Sequence, residues 1–213
     1  LRGFNNIRFS DKLQEKLGIP VFLDRDVNFL LMNDLNKLKI DNTKTVLGFY
    51  IGTGFGNAIF MNGGLYAGRN GAAGELGHIP LIDVDEVCTC GNKGCSETRC
   101  SGKRLEYLAE KYFPDTKIRD VFKYHGNSPI IVKYVRDLAI PIATEINILD
   151  PDCSVIAGGV VFMEGFPKDI LVESIHEKVR KPYPEANLEI LFSEHDQQSG
   201  IYGSGIYAHQ MLK

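Results

Sequence analysis

The chain has 213 residues, enough for one large domain or two small ones around a sizeable core. Apolar residues make up 44% and charged residues 24%, and the net charge is -3, a balance that favours neither nucleic acid nor an anionic membrane surface as partner. No apolar run reaches the length of a membrane span, and the first six residues lack the apolar core of a secretory signal. Five cysteines, three of them within residues 88–95, suit a metal better than a disulfide framework and fit a reducing compartment, so a cytoplasmic location is expected.

Ser10 stands where a cap would open a helix carrying Leu13 and Leu17, with Phe9 and Leu13 as hydrophobic staple and Gly18 as the stop. Residues 19–23 read as a short buried strand, and 27–38 as a helix with Leu30, Leu31 and Leu35 at helical spacing. Residues 45–51 and 57–61 read as strands joined by a glycine turn, and Asn62-Gly63-Gly64 as a hairpin-type turn. A glycine-rich loop covers 68–77. After Ser101 the helical period returns, with Leu105, Leu108, Ala109 and Tyr112 on one face and Pro114 as the stop. Ser128 as cap and Pro129 in the first turn open a long apolar helix through Ile142 and Ile146, kinked at Pro141 and ended by Asp150-Pro151. A buried strand at 154–157 ends in Gly158-Gly159. A helix at 168–179, a strand at 188–192 and a last helix after Gly200 follow. Strands and helices alternate, which predicts the α/β class.

The densest chemistry lies in the cysteine segment. Cys88, Cys90 and Cys95 place three thiols within eight residues, with Gly91 and Gly94 letting the backbone turn around an ion. One more ligand would complete a closed tetrahedral zinc site of the structural type. His78 and Cys100 both compete for that place, whereas Cys153 reads as a core thiol. Gly52-Thr53-Gly54-Phe55-Gly56 is too short for a Walker loop, and it reads equally as a plain turn or as a backbone nest for phosphate. Asp26 fits a helix cap, or a general base at the carboxyl end of a strand. Glu75 and Glu97 flank the presumed metal and suit hydroxyl groups of a polyol.

Together these segments resemble the ROK family of repressors, unclassified reading frames and bacterial sugar kinases. The resemblance rests on Asp24-Arg25-Asp26-Val27-Asn28, Ile51 to Gly56, Gly74-Glu75-Leu76-Gly77-His78, Cys88-x-Cys90-x4-Cys95-x-Glu97, and Val155-Ile156-Ala157-Gly158-Gly159, in that order across almost the whole chain. It implies an actin-like ATPase (ribonuclease H-like) fold of two α/β lobes with sugar and ATP in the cleft. Residues 1–44 would be the remainder of the N-terminal lobe and the hinge region, 45–199 the C-terminal lobe with its zinc knuckle at 78–97, and 200–213 a final helix packing back on the N-terminal lobe. The implied reaction is ATP-dependent phosphorylation of an aldohexose, D-allose by preference, at its 6-hydroxyl, with Asp26 as catalytic base.

By the same resemblance Arg25, Asp26, Glu75, His78 and Glu97 contact the sugar, and His78 with Cys88, Cys90 and Cys95 holds structural Zn²⁺. Gly52, Thr53, Gly54, Phe55 and Gly56 meet the ATP phosphates, and Gly158 and Gly159 lie by the adenosine. A homodimer or homotetramer is implied, with no nucleic-acid or membrane partner. Two departures stand out. Arg25 replaces the usual Asn, and the first phosphate motif, Asp-x-Gly-Gly-Thr, is absent, so about one small domain carrying a Mg²⁺-associated carboxylate is expected ahead of Leu1. The alternative is a sugar-responsive repressor of the same family with a helix-turn-helix in that place.

Overall fold

The computed structural model describes residues 7–212; the first six residues, part of the expected remainder of the N-terminal lobe, lie outside them. The chain forms helices α1 (Phe9–Leu17), α2 (Asp26–Lys37), α3 (Gly102–Tyr112), α4 (Val121–His125), α5 (Pro129–Leu149), α6 (Lys168–Lys178) and α7 (Ser199–Met211). Its strands are β1 (Val46–Ile51), β2 (Phe55–Met61), β3 (Gly64–Leu65), β4 (Cys153–Ala157) and β5 (Ile190–Phe192), in the spatial order β3-β2-β1-β4-β5. The β1–β2 and β2–β3 pairs are antiparallel, and β1–β4 and β4–β5 are parallel.

Alternation along β1 explains the layering, because successive side chains of a strand point to opposite faces. Leu47, Phe49 and Ile51 enter a core shared with Leu105 of α3, Phe122 of α4, Leu138 and Ile142 of α5, and Leu171 and Ile175 of α6. Val46 and Tyr50 face the other way, toward Val27, Leu31, Met32 and Leu35 of α2 and Ile206 and Tyr207 of α7. Every residue of β1 is buried, as expected of a strand with helices on both faces. The α2 helix, grouped by sequence with residues 1–44, thus covers one face of this sheet. The final helix packs on α2, so closely that a Cβ on Gly203 would collide with the Phe29 carbonyl.

Several local expectations need correction. Residues 19–23 form no strand: Ile19 and Leu23 are 60% and 66% exposed, and the Val21 amide donates to the side-chain carbonyl of Gln14 at 3.0 Å. A strand needs a neighbouring ladder, and no other described strand lies beside this segment. Ser10 and Phe9 both lie inside α1, whose N-cap is Arg8 with no side-chain cap bond, so neither the predicted cap nor the staple forms there. Ser128 does occupy the N-cap of α5 ahead of Pro129, but its hydroxyl makes no cap bond.

α5 runs unbroken through Pro141. Proline has no amide to offer the carbonyl four residues back, which here belongs to Asp137. The Cys100 thiol fills that gap, donating to the Asp137 carbonyl at 3.2 Å. Cys100 is fully buried in the main core and faces α5 instead of the other thiols, which leaves His78 as the candidate for the fourth ligand position.

Candidate functional site

The zinc ligands predicted from sequence meet in space. One donor atom from each of His78, Cys88, Cys90 and Cys95 lies within 4.8 Å of all the others. The Cys88 sulfur is 3.6 Å from His78 Nδ1, and the sulfurs of Cys90 and Cys95 are 3.6 Å apart. A tetrahedral Zn²⁺ with bonds of about 2.3 Å to sulfur and about 2.0 Å to nitrogen puts its ligands roughly 3.5–3.8 Å from one another, so the donor set fits the ion. The backbone is drawn in to match. Gly91 donates to the Cys88 carbonyl at 2.9 Å and Cys88 to the Asn92 carbonyl at 2.8 Å. Burial raises the Cys88 thiol, but hydrogen bonds from Cys90, Cys95 and His78 outweigh it and bring it down to about 7. Burial and the neighbouring thiols push Cys95 up to about 12.

A continuous chain of contacts runs outward from this cluster. With Nδ1 turned to Cys88, His78 presents Nε2 to Glu75 Oε2 at 3.7 Å. Glu75 Oε1 lies 3.3 Å from Arg25 Nη2, and Arg25 is the N-cap of α2, next to Asp26. Asp26 is exposed in the first turn, where Oδ1 accepts the Val27 amide at 2.9 Å. Its neighbour Asp24 accepts from the Arg25 amide at 2.7 Å and from Asn28 Nδ2 at 2.6 Å. On the other side of the cluster, Glu97 Oε2 accepts the Phe55 amide at 3.1 Å, tying the knuckle to the glycine turn.

The turn itself is narrower than expected. Gly52, Thr53 and Gly54 form it, while Phe55 and Gly56 already belong to β2 and the Phe55 side chain is buried in the core. The carbonyls of Gly52 and Thr53 accept the amides of Gly102 and Lys103 at 2.8 and 3.1 Å, which fastens the turn to the start of α3. Gly52, Thr53 and Gly159 line a cavity of about 400 Å³ with Lys103, Glu106, Ile118, Val160 and Met163. Those last five went unnoticed in the sequence, since nothing in their local pattern marks them. Gly158 does not line this cavity. At φ +108° it brings the end of β4 against the Ile51 carbonyl, an approach too close for any Cβ.

A mixed sheet between two helical layers, with a His-Cys₃ cluster beside a strand–glycine–strand turn, defines the class of protein. The ROK family model matches residues 1–211, and the chain belongs to the ROK family. It is 32% identical over 179 residues to a glucokinase of Halalkalibacterium halodurans, covering 74% of this chain and 54% of that protein. Over 210 residues it is 28% identical to an N-acetyl-D-glucosamine kinase of Photobacterium profundum, covering 90% of this chain and 68% of that one. Among solved structures, a ROK hexokinase from Thermus thermophilus superimposes with a TM-score of 0.80 at 24% identity, over 95% of this chain and 70% of that one. A ROK glucokinase from Streptomyces griseus in complex with glucose and AMPPNP gives 0.77 at 23% identity, over 94% and 72%. These likenesses establish the α/β ROK fold. The chain spans 54% of the length of the glucokinase relative. Among the described residues, no helix is long and apolar enough to cross a membrane.

Proposed function

We propose that this chain belongs to an ATP-dependent sugar kinase that phosphorylates the 6-hydroxyl of an aldohexose. The observation that carries the reading is the line of contacts from the start of α2 through Glu75 and His78 to the thiol cluster, with Glu97, two residues past Cys95, bonded to Phe55 at the end of the glycine turn. It links one end suited to a sugar with another suited to phosphates.

In this reading the Asp26 carboxylate accepts the O6 proton as that oxygen attacks the γ-phosphorus; the bond to the β-phosphate oxygen breaks and ADP leaves. Glu75, His78 and Glu97 hold sugar hydroxyls, and Arg25 stands beside them. Gly52, Thr53 and Gly54 approach the phosphates through their backbone, and the cavity at Thr53 and Gly159 receives the nucleotide. Phosphoryl transfer asks the protein chiefly for positioning and charge stabilisation. Magnesium, when bound with the nucleotide, would supply neutralisation of the phosphate charge. Zinc would be held by His78, Cys88, Cys90 and Cys95 with no open position, so it stiffens the sugar wall and takes no part in the chemistry.

Neither relative described above is named for D-allose; they are named for glucose and N-acetyl-D-glucosamine, which therefore stand beside allose as candidate hexoses. The test is Asp26→Asn in the intact protein. Hexose binding should persist while turnover falls by about 10²–10⁴-fold, the usual contribution of a general base. Turnover close to wild type would remove Asp26 from that role.

A sugar-responsive regulator is the second reading, favoured by a TM-score of 0.74 to a ROK transcriptional regulator, a homologue of the E. coli MLC protein, over 95% of this chain and 56% of that one. Sugar binding without phosphoryl transfer in the wild-type protein would select it.

A further inference from the structure

Arg25 makes three contacts to three consecutive residues, Ala73, Gly74 and Glu75. Its Nη1 donates to the Ala73 carbonyl at 2.5 Å, and its Nη2 lies 3.5 Å from the Gly74 carbonyl and 3.3 Å from Glu75 Oε1. The side chain is 22% exposed, against 47% for Glu75. The loop it grips is supported from behind as well. Gly74 sits against Asn57 of β2, and Asn57 Nδ2 donates to Glu145 Oε2 at 2.6 Å and to the Gly48 carbonyl at 3.1 Å. The second oxygen of Glu75 faces His78 Nε2. A carboxylate with one oxygen on a guanidinium and the other toward an imidazole keeps little freedom to rotate.

No other side chain at position 25 reproduces this. The planar fork of arginine reaches two carbonyls and a carboxylate at once; lysine offers one compact charge, and asparagine is short and neutral. We propose that Arg25 is a positioning residue whose guanidinium is committed to the protein instead of the hexose. It aims Glu75 at a sugar hydroxyl and yokes the start of α2, and with it Asp26, to the sugar wall. This role rests on the kinase reading given above.

The experiment is a double-mutant cycle in the intact protein, read by calorimetric hexose binding without nucleotide and by steady-state kinetics, with Tm recorded for every variant. Arg25→Met should raise the hexose Kd and KM about tenfold, the scale of one lost charge-assisted hydrogen bond, and leave the KM for ATP within about twofold. Arg25→Lys should fall between. In a Glu75→Ala background, where no carboxylate remains to be aimed, Arg25→Met should change hexose affinity by less than about twofold. An equal loss in both backgrounds would make Arg25 a direct hexose ligand and overturn the proposal, as would unchanged affinity in the single variant. Hexose binding without turnover in the wild type would sink the kinase reading alone, and the calorimetric cycle would still decide on Arg25. Binding of no hexose at all would sink both.

Discussion

Cys100 and Cys95 lie five residues apart and do different work. Cys95 shares a cluster with His78 and two other thiols, whereas Cys100 satisfies the carbonyl that Pro141 leaves open. Metal analysis of purified variants separates them. If the cluster holds zinc as proposed, the wild type should carry one ion per chain, and Cys95→Ala should lose it with a fall in Tm. Cys100→Ala should keep its zinc and lose about 1–3 kcal/mol in urea unfolding, from an unpaired carbonyl and a small cavity. Zinc lost from the Cys100 variant would show that this thiol, not His78, completes the site. Spacing alone made the three-thiol run legible. It left Cys100 as a competitor to His78, because distance along the chain says nothing of which core a thiol faces. The role of Pro141 was half visible in the same way: a missing amide can be read from sequence, but not its substitute donor.

Glu145 gives a pH signature at the same scale. Burial pushes its carboxyl up to about 7, against a smaller lowering by its hydrogen bond from Asn57. The folded state therefore keeps this proton over a range where an unfolded glutamate has lost it. Its contribution to stability is present at low pH and declines as pH rises from roughly 4.5 to about 7, with no further loss above. The wild type measured against Glu145→Gln by urea unfolding should lose about 3 kcal/mol of relative stability across that window. A difference that does not vary with pH would contradict the buried environment described for Glu145.

Among the elements, α2 carries the most consequence, since it presents Asp26 at one end and is pinned to the sheet at the other. Asp34, fully buried, accepts from Tyr50 Oη of β1 at 2.9 Å and from Ser193 Oγ at 2.5 Å, and lies 2.7 Å from His195 Nε2. One carboxylate thus joins α2 to β1 and to the segment that leads from β5 into α7. Asp34→Ala should cost about 3 kcal/mol or more, because it strands two buried hydroxyls and the half-buried His195. Tyr50→Phe should cost about 1 kcal/mol, one hydrogen bond. Equal small losses in both would mean that the network does not hold the helix. Sequence periodicity placed α2 within a residue of its observed start, since a strong apolar stripe survives any context. Asp34 gave no such signal: a polar residue in a helix looks solvated until the partners from β1 and the 193–195 segment are brought to it. Residues 19–23 failed for the reciprocal reason, because an apolar run becomes a strand only where another strand receives its backbone.

At the scale of the whole molecule, the sheet and its two helical layers bring together residues that are distant in sequence. The sugar-facing candidates come from the start of α2 and from residues 75–97; the nucleotide-facing ones come from the β1–β2 turn, the start of α3 and the end of β4. The knuckle sits between the two groups, and under the proposed function that placement would give a metal with no open coordination position a reason to lie beside the reacting groups. The most direct measurement is phosphate transfer from ATP by the intact protein across a panel of glucose, N-acetyl-D-glucosamine, D-allose and mannose, with the product's phosphate located by NMR. The account predicts ATP-dependent formation of a hexose 6-phosphate from at least one of these sugars, lost in Asp26→Asn. Hexose binding with no phosphate transfer from ATP to any sugar would contradict it.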